Sequence, residues 1–523
     1  MGTPLWQHSA ATLSGMLERR EVSSREVVDA HLDRIASVDG AVRAFTEVFR
    51  EGARADADRA DAERAKGRSR GPLHGLPVSV KECFDFEGRA TTLGIPAFEK
   101  RIATRDAVMV TALREAGAVI LGRTNLSQTM LFAESRNPIF GQTCNPFSLS
   151  HTPGGSSGGE TAALASGMSP LGVGTDIGGS IRSPAHFSGV TALKPTLDRL
   201  PSRGQRAGLP GQEVIRGVCG PVGRTTDDLW LFLRSLDPAR LSALDGRVPP
   251  LPWRSPDEVS LAGLRVGFYT DDGVLAASRS IVRAVEMARD ALEARGCHVR
   301  PYMPPDVMKN ISDYISALSS DGAKTLGSLV RDPRELDPVL APLLKGAQLP
   351  AKVRLGLARA AELAGQKRAA MLLRAVGEKS VAELWRLTDT LRGARATMLD
   401  SLDANGIDVI LCPAYATPAL PHGMSKNFTL ASSTAMLWNL HQLPAGVVPV
   451  TRVRPDETTR SASRELLERQ AAKVDAESAG LPVGVQVVAR PWAEHTVLAV
   501  MRAIEETVRN DPSFPHTPVT PRS

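Results

Sequence analysis

The chain has 523 residues, 42% of them hydrophobic and 23% charged, the balance of a globular protein that stays in solution. Lys and Arg number 63 against 57 Asp and Glu, a net charge of +6, and aromatics make up only 4%, so the clustered basic and aromatic face of a nucleic-acid binder is not expected. Five scattered cysteines (Cys83, Cys144, Cys219, Cys297, Cys412), with no C-x-x-C pair and no metal-ligand spacing, point to free thiols in a reducing, cytoplasmic compartment and to no metal.

The N-terminus lacks the basic start and apolar run of a secretory signal, and no stretch reaches 18 consecutive apolar residues, which argues against a spanning helix. Residues 12–20 and 24–36 read as short amphipathic helices, the second opened by a Ser23-x-x-Glu26 capping box. A third helix is expected over 41–66. Residues 1–70 therefore read as helices clamped on the outside of a core that begins at 71 and runs to 236. There, strand and helix patterns alternate, which predicts an α/β fold with a mixed, mostly parallel central sheet covered by helices on both faces. One domain over 1–523 accounts for the length.

Within 75–85, GLPVSVKECFD, the alternation from Pro77 to Val80 reads as a short strand that ends on Lys81. A strand-end lysine is ordinarily an exposed charge. One desolvated at the edge of a core loses its proton near neutral pH and can act as a general base. Cys83, two residues on, reads either as core packing or as a reactive thiol. A helix over 108–115 and a buried strand over 118–121 follow, then Met130 and Leu131 in a turn.

Residues 153–182, PGGSSGGETAALASGMSPLGVGTDIGGSIR, organise the rest. Glycine-flanked serines, Ser156 with Ser157 and then Ser180, bracket a small-residue helix over 162–167 and a strand over 171–174. So many glycines cost conformational freedom, and they make sense where backbone geometry is unusual or a ligand touches the main chain. The successive amides of Ile177, Gly178, Gly179 and Ser180 can point into one concavity, a nest for an anion or for the oxyanion of a tetrahedral intermediate. Ser180 at its rim is then a candidate nucleophile that needs a base to take its proton. His186, six residues on, shares no helix face with it and reads as structural. GSSGG matches the G-x-S-x-G elbow only formally, because it follows polar loop rather than a strand. The glycine spacing of GVGTDIGG does not fit a dinucleotide site.

Further along, residues 238–259 read as a proline-rich connector, 264–268 as a strand and 281–296 as a helix. Strands are also expected over 409–412, 446–451 and 483–488, with a charged excursion over 455–478. Between these, 338–376 mixes an apolar stripe with Lys345, Lys352, Arg354, Arg359, Lys367, Arg368 and Arg374. This suits an interfacial helix on anionic lipid, or else a solvated basic face on a helix that packs on the core.

GLPVSVKECFD, PGGSSGGE and GTDIGGSIRSPA, in that order, resemble the amidase signature family. Residues 121–146, 437–451 and 480–494 resemble its fatty acid amide hydrolase branch, and the likeness covers most of the chain from Pro72 onward. The resemblance implies Lys81 as base, Ser156 as a bridging serine on a cis peptide and Ser180 as nucleophile. It also implies Ile177, Gly178 and Gly179 as oxyanion donors, and Asp176 with Arg182 as a structural ion pair. Met130 and Leu131 would line an acyl pocket, ordinary core being the other reading. The implied reaction is hydrolysis of a small-molecule amide that carries an acyl chain, such as a fatty acid amide or N-acylethanolamine, without a cofactor. Small-amide, aryl-amide or carbamate hydrolysis is the alternative, and an amidotransferase subunit would need a partner chain. A membrane-docking cap over 338–376 and a homodimer are further implications. One departure is that animal members of the branch carry an N-terminal membrane-spanning helix not found in this sequence.

Overall fold

The computed structural model describes residues 2–330 and 332–521. Its strands in chain order are β1 (Phe45–Val48), β2 (Pro77–Lys81), β3 (Val119–Thr124), β4 (Arg136–Asn137), β5 (Gly141–Gln142), β6 (Leu171–Asp176) and β7 (Thr191–Lys194). They continue with β8 (Val218–Gly223), β9 (Arg265–Phe268), β10 (His298–Pro301), β11 (Val409–Pro413), β12 (Ala445–Arg452) and β13 (Pro482–Ala489). Eleven of them form one sheet in the order β1-β3-β2-β6-β8-β7-β12-β13-β11-β9-β10, and β4 with β5 makes a separate small pair. Every residue of β2, β6, β8 and β13 is buried. Since successive side chains point to opposite faces, both faces of the sheet centre are covered by helices, as expected.

The sheet is mixed, with a smaller parallel share than the alternation of elements predicts. Pairing is parallel within β3-β2-β6 and within β11-β9-β10, and antiparallel at every other neighbouring pair. The reason is the path after β6. Helix Arg182–Ser188 returns the chain to β7 in the direction of β6, but the segment that follows brings β8 back between the two, antiparallel to both.

At the N-terminus helix Ser24–Val42 opens with the expected capping box, Ser23 and Glu26 exchanging bonds. The helix expected over 41–66 is interrupted. Arg43 takes a left-handed conformation (φ 56°), the Asp39 carboxylate accepts from the Ala44 amide at 2.7 Å, and the chain turns into β1 before helix Arg50–Ala65. The N-terminal segment thus contributes an edge strand as well as helices.

Residues 338–376 fold as three helices, Ala341–Gln348, Ala351–Leu363 and Lys367–Ala375. Their basic flank is thinner than the sequence suggests. Arg354 is buried, Arg368 pairs with Glu465 and Glu468, and Arg374 pairs with Glu362. Lys345, Lys352, Arg359 and Lys367 remain exposed, beside an exposed apolar set that includes Leu363 at 89% and, on the following long helix Val381–Ala404, Trp385 at 72%.

Candidate active site

Lys81 closes β2, the third strand from one edge of the sheet, and is fully buried. Its Nζ reaches three hydroxyls: Ser156 Oγ at 2.7 Å, Ser157 Oγ at 2.8 Å and Thr175 Oγ1 at 2.9 Å. Burial favours the neutral amine and pushes the group down to about 8, against the opposing pull of Cys83, Asp176, Glu160 and Glu82. Ser156 follows a cis peptide bond from Gly155, and with Ser157 it precedes helix Gly158–Ala165. The Cys83 thiol nearby is fully buried and pushed up to about 11 by that burial, so it is a protonated core group rather than a thiolate.

Ser180 sits on the turn between β6 and helix Arg182–Ser188, partly open to solvent. The Ser157 amide donates to its carbonyl at 3.0 Å, locking the two serine segments together, and Ser156 and Ser180 lie on the wall of one cavity. Gly179 has φ +107°, and a Cβ there would meet Ser183 Oγ and Ala435 Cβ, so only glycine makes this turn. The four-donor cradle expected here is narrower in the structure. The Gly179 amide is tipped by that φ onto Asp176 Oδ1 at 2.8 Å, and the Ile181 amide bonds Asp176 Oδ2 at 3.1 Å. Among the described residues the amides of Ile177, Gly178 and Ser180 find no acceptor.

Asp176 and Arg182 form a bidentate pair at 2.9 and 3.0 Å with both side chains fully buried. Burial disfavours the Asp176 carboxylate, yet Arg182, with Lys194 and the Gly179 amide, outweighs it and holds the group well below the usual carboxylate range. Arg182 also donates to Gln486 and Asn439, and Tyr314 Oη donates to the Ile177 carbonyl at 2.7 Å. This network clamps the turn from β13 and from helices Ser433–Leu440 and Val307–Leu318.

Two cavities meet at Ser180. One is mostly apolar and runs past Leu131, Phe132, Leu318 and Met436 to Leu343 and Ala347 on helix Ala341–Gln348. The other carries Asp198, Gln205, Glu213, Arg216 and Arg247. Met130 and Leu131 line both. Such a junction suits a molecule with one apolar and one polar arm whose reacting group lies at Ser180. His186 is outside it: Nδ1 accepts from the Gly484 amide at 2.9 Å and Nε2 faces the Thr417 carbonyl at 3.1 Å.

Of the residues singled out in the sequence, Lys81 and Ser156 are brought into direct contact, Ser180 joins Ser156 at one cavity wall, and Asp176 pairs with Arg182. Thr175 and Ser157 as partners of Lys81, and the Tyr314, Asn439 and Gln486 clamps, were not expected. The first two stand inside the quoted motifs, where their hydroxyls were the available signal.

The amidase family model matches residues 26–498. The chain is 36% identical over 460 residues to fatty-acid amide hydrolase 1 of Sus scrofa, covering 85% of this chain and 77% of that protein. It is 31% identical over 516 residues to an acetamidase of Emericella nidulans, covering 96% and 89%. A solved fatty acid amide hydrolase structure superposes with a TM-score of 0.83 at 27% identity, covering 97% of this chain and 86% of that one. With a match over most of its length and a shared fold, the chain belongs to the amidase signature family and is an amidohydrolase.

Proposed function

We propose that the protein hydrolyses fatty acid amides or N-acylethanolamines through an acyl-enzyme, with Ser180 as nucleophile, Ser156 as proton bridge and Lys81 as base. The observation that carries this is a fully buried Lys81 bonded to Ser156, beside the point where an apolar and a polar cavity meet at Ser180. Neutral Lys81 takes the proton of Ser156, which takes that of Ser180 as Ser180 Oγ bonds the carbonyl carbon. The amides of Ile177, Gly178 and Ser180 receive the oxyanion. The relay then runs in reverse and protonates the departing amine, and water cleaves the acyl-enzyme to release acid. The apolar cavity takes the acyl chain, with Met130 and Leu131 flanking the carbonyl end, and the polar cavity takes the amine.

An acyl chain-length series of matched primary amides tests the substrate class. kcat/KM rises from acetamide towards long acyl chains on this reading, because each methylene buried in an apolar site contributes about 0.8 kcal/mol. A maximum at acetamide identifies a small-amide hydrolase instead.

The apolar cavity reaches helix Ala341–Gln348, which the chain follows directly with helix Ala351–Leu363 and its exposed Leu355, Leu357 and Leu363. That adjacency supports membrane contact by this cap, so that an acyl chain enters from lipid. Among the described residues no helix is long and apolar enough to cross a membrane, so the contact is peripheral. Pelleting with phosphatidylserine vesicles is expected to fall several-fold when Lys352 and Arg359 are both changed to Glu, each near-surface cation being worth about 1 kcal/mol. Unchanged pelleting would rule the cap out. A homodimer is part of the same proposal, supported by the branch likeness.

A further inference from the structure

Helix Gly158–Ala165 starts directly after the two serines that Lys81 touches, and its third residue, Glu160, is fully buried. The Glu160 carboxylate accepts from Ser79 Oγ at 2.6 Å and from Thr124 Oγ1 at 2.7 Å. Ser79 lies two residues before Lys81 on β2, hence on the same face. Thr124 is the residue of β3 opposite Lys81, and Gly172 of β6 stands opposite Ser79. A Cβ at Gly172 would collide with Glu160 Oε2. Three adjacent strands are therefore shaped to hold one carboxylate on the face that carries Lys81.

A buried carboxylate demands a compensating charge. The other acids around Lys81 have their own. Asp176 has Arg182, and Glu82 accepts from the Thr92 and Leu93 amides at 2.6 and 3.1 Å with Arg123 close by. Cys83 keeps its proton. Burial raises Glu160 to about 7, the Ser79 and Thr124 hydroxyls oppose that, and among the described residues the cationic group acting on it is Lys81.

We propose that Glu160 is a positioning residue, the counter-charge that stabilises the Lys81 ammonium formed when the base takes the serine proton. The proton passes from Ser180 to Ser156 and from Ser156 to Lys81. Above about pH 7 Glu160 is a carboxylate; it gains and loses no proton in this step and supplies negative charge behind the amine. The inference rests on Lys81 being the base.

The second-order rate of labelling by a fluorophosphonate probe, measured from pH 5 to 10, tests it without a known substrate. Glu160→Gln keeps the size and the hydroxyl contacts but removes the charge, so the acid limb of the profile moves to lower pH by about one unit. Thr124→Val, which weakens the carboxylate by one hydrogen bond, moves the limb in the same direction by less, and it decides the matter if Glu160→Gln does not fold. A limb that stays in place or moves up in the folded variants overturns the counter-charge role, while loss of labelling in Lys81→Met leaves the base assignment standing. A wild-type profile in Lys81→Met would overturn both.

Discussion

Ser180→Ala is expected to abolish amide hydrolysis while leaving the fold intact. Removing the nucleophile of an acyl-transfer relay costs about a million-fold in kcat, since the residual rate comes only from binding and oxyanion donors. The loss should be confined to turnover. Among the described residues no hydrogen bond of the Ser180 side chain holds the fold, the turn being fixed by the Asp176–Arg182 pair and by the Ser157 amide on the Ser180 carbonyl. A thermal midpoint close to wild type, together with a flat progress curve on a long-chain amide, is the expected result. Substantial residual turnover would place the nucleophile elsewhere.

Lys81→Met carries the second large effect, and its signature is a difference between substrates. The proposed relay would activate Ser180 for any acyl donor, but its reversal, which protonates the leaving group, would matter for an amine and hardly at all for a phenolate. Loss of a general acid-base group costs about 10²–10⁴-fold. The drop should therefore approach the upper end with a long-chain anilide and the lower end with the matched activated ester. Equal losses on both would deny the reversed relay. On the proposed relay the same group is expected to set the pH dependence of the wild type. Burial depresses Lys81 to about 8, so the reactive neutral amine declines as pH falls below that value. kcat/KM should accordingly rise with pH and level off above about 8.

How far this was readable from the residues differs between site and scaffold. Lys81, Ser156 and Ser180 stand in motifs marked by clustered glycines and a lone charge at a strand end, and the structure sets Lys81 against Ser156. The sheet was less accessible. β8, with the sequence VCGPVG, contains a proline and two glycines and carries no strand periodicity, so its insertion between β6 and β7 could not be seen from local pattern. β1 was hidden because FTEV lies between two alanine- and charge-rich segments that read as one helix. Its signal was the turn at Asp39 and Arg43, which depends on a hydrogen bond to the Ala44 amide. Arg354 taught the same lesson in the cap. A cation in a helical stripe reads as solvated, whereas tertiary packing against Gly377 buries this one. Glu160 has no readable role within PGGSSGGE, because its meaning arises only when Ser79, Thr124 and Gly172 from three strands converge on it.

The most direct test is to mix the wild-type enzyme with a long-chain activated ester, quench in acid within milliseconds and map the acylated peptide by mass. The activation of one hydroxyl by a buried amine predicts a single acyl group on Ser180, and none in Ser180→Ala. An acyl group on Ser156 or Ser157, or turnover with no covalent adduct, would contradict it.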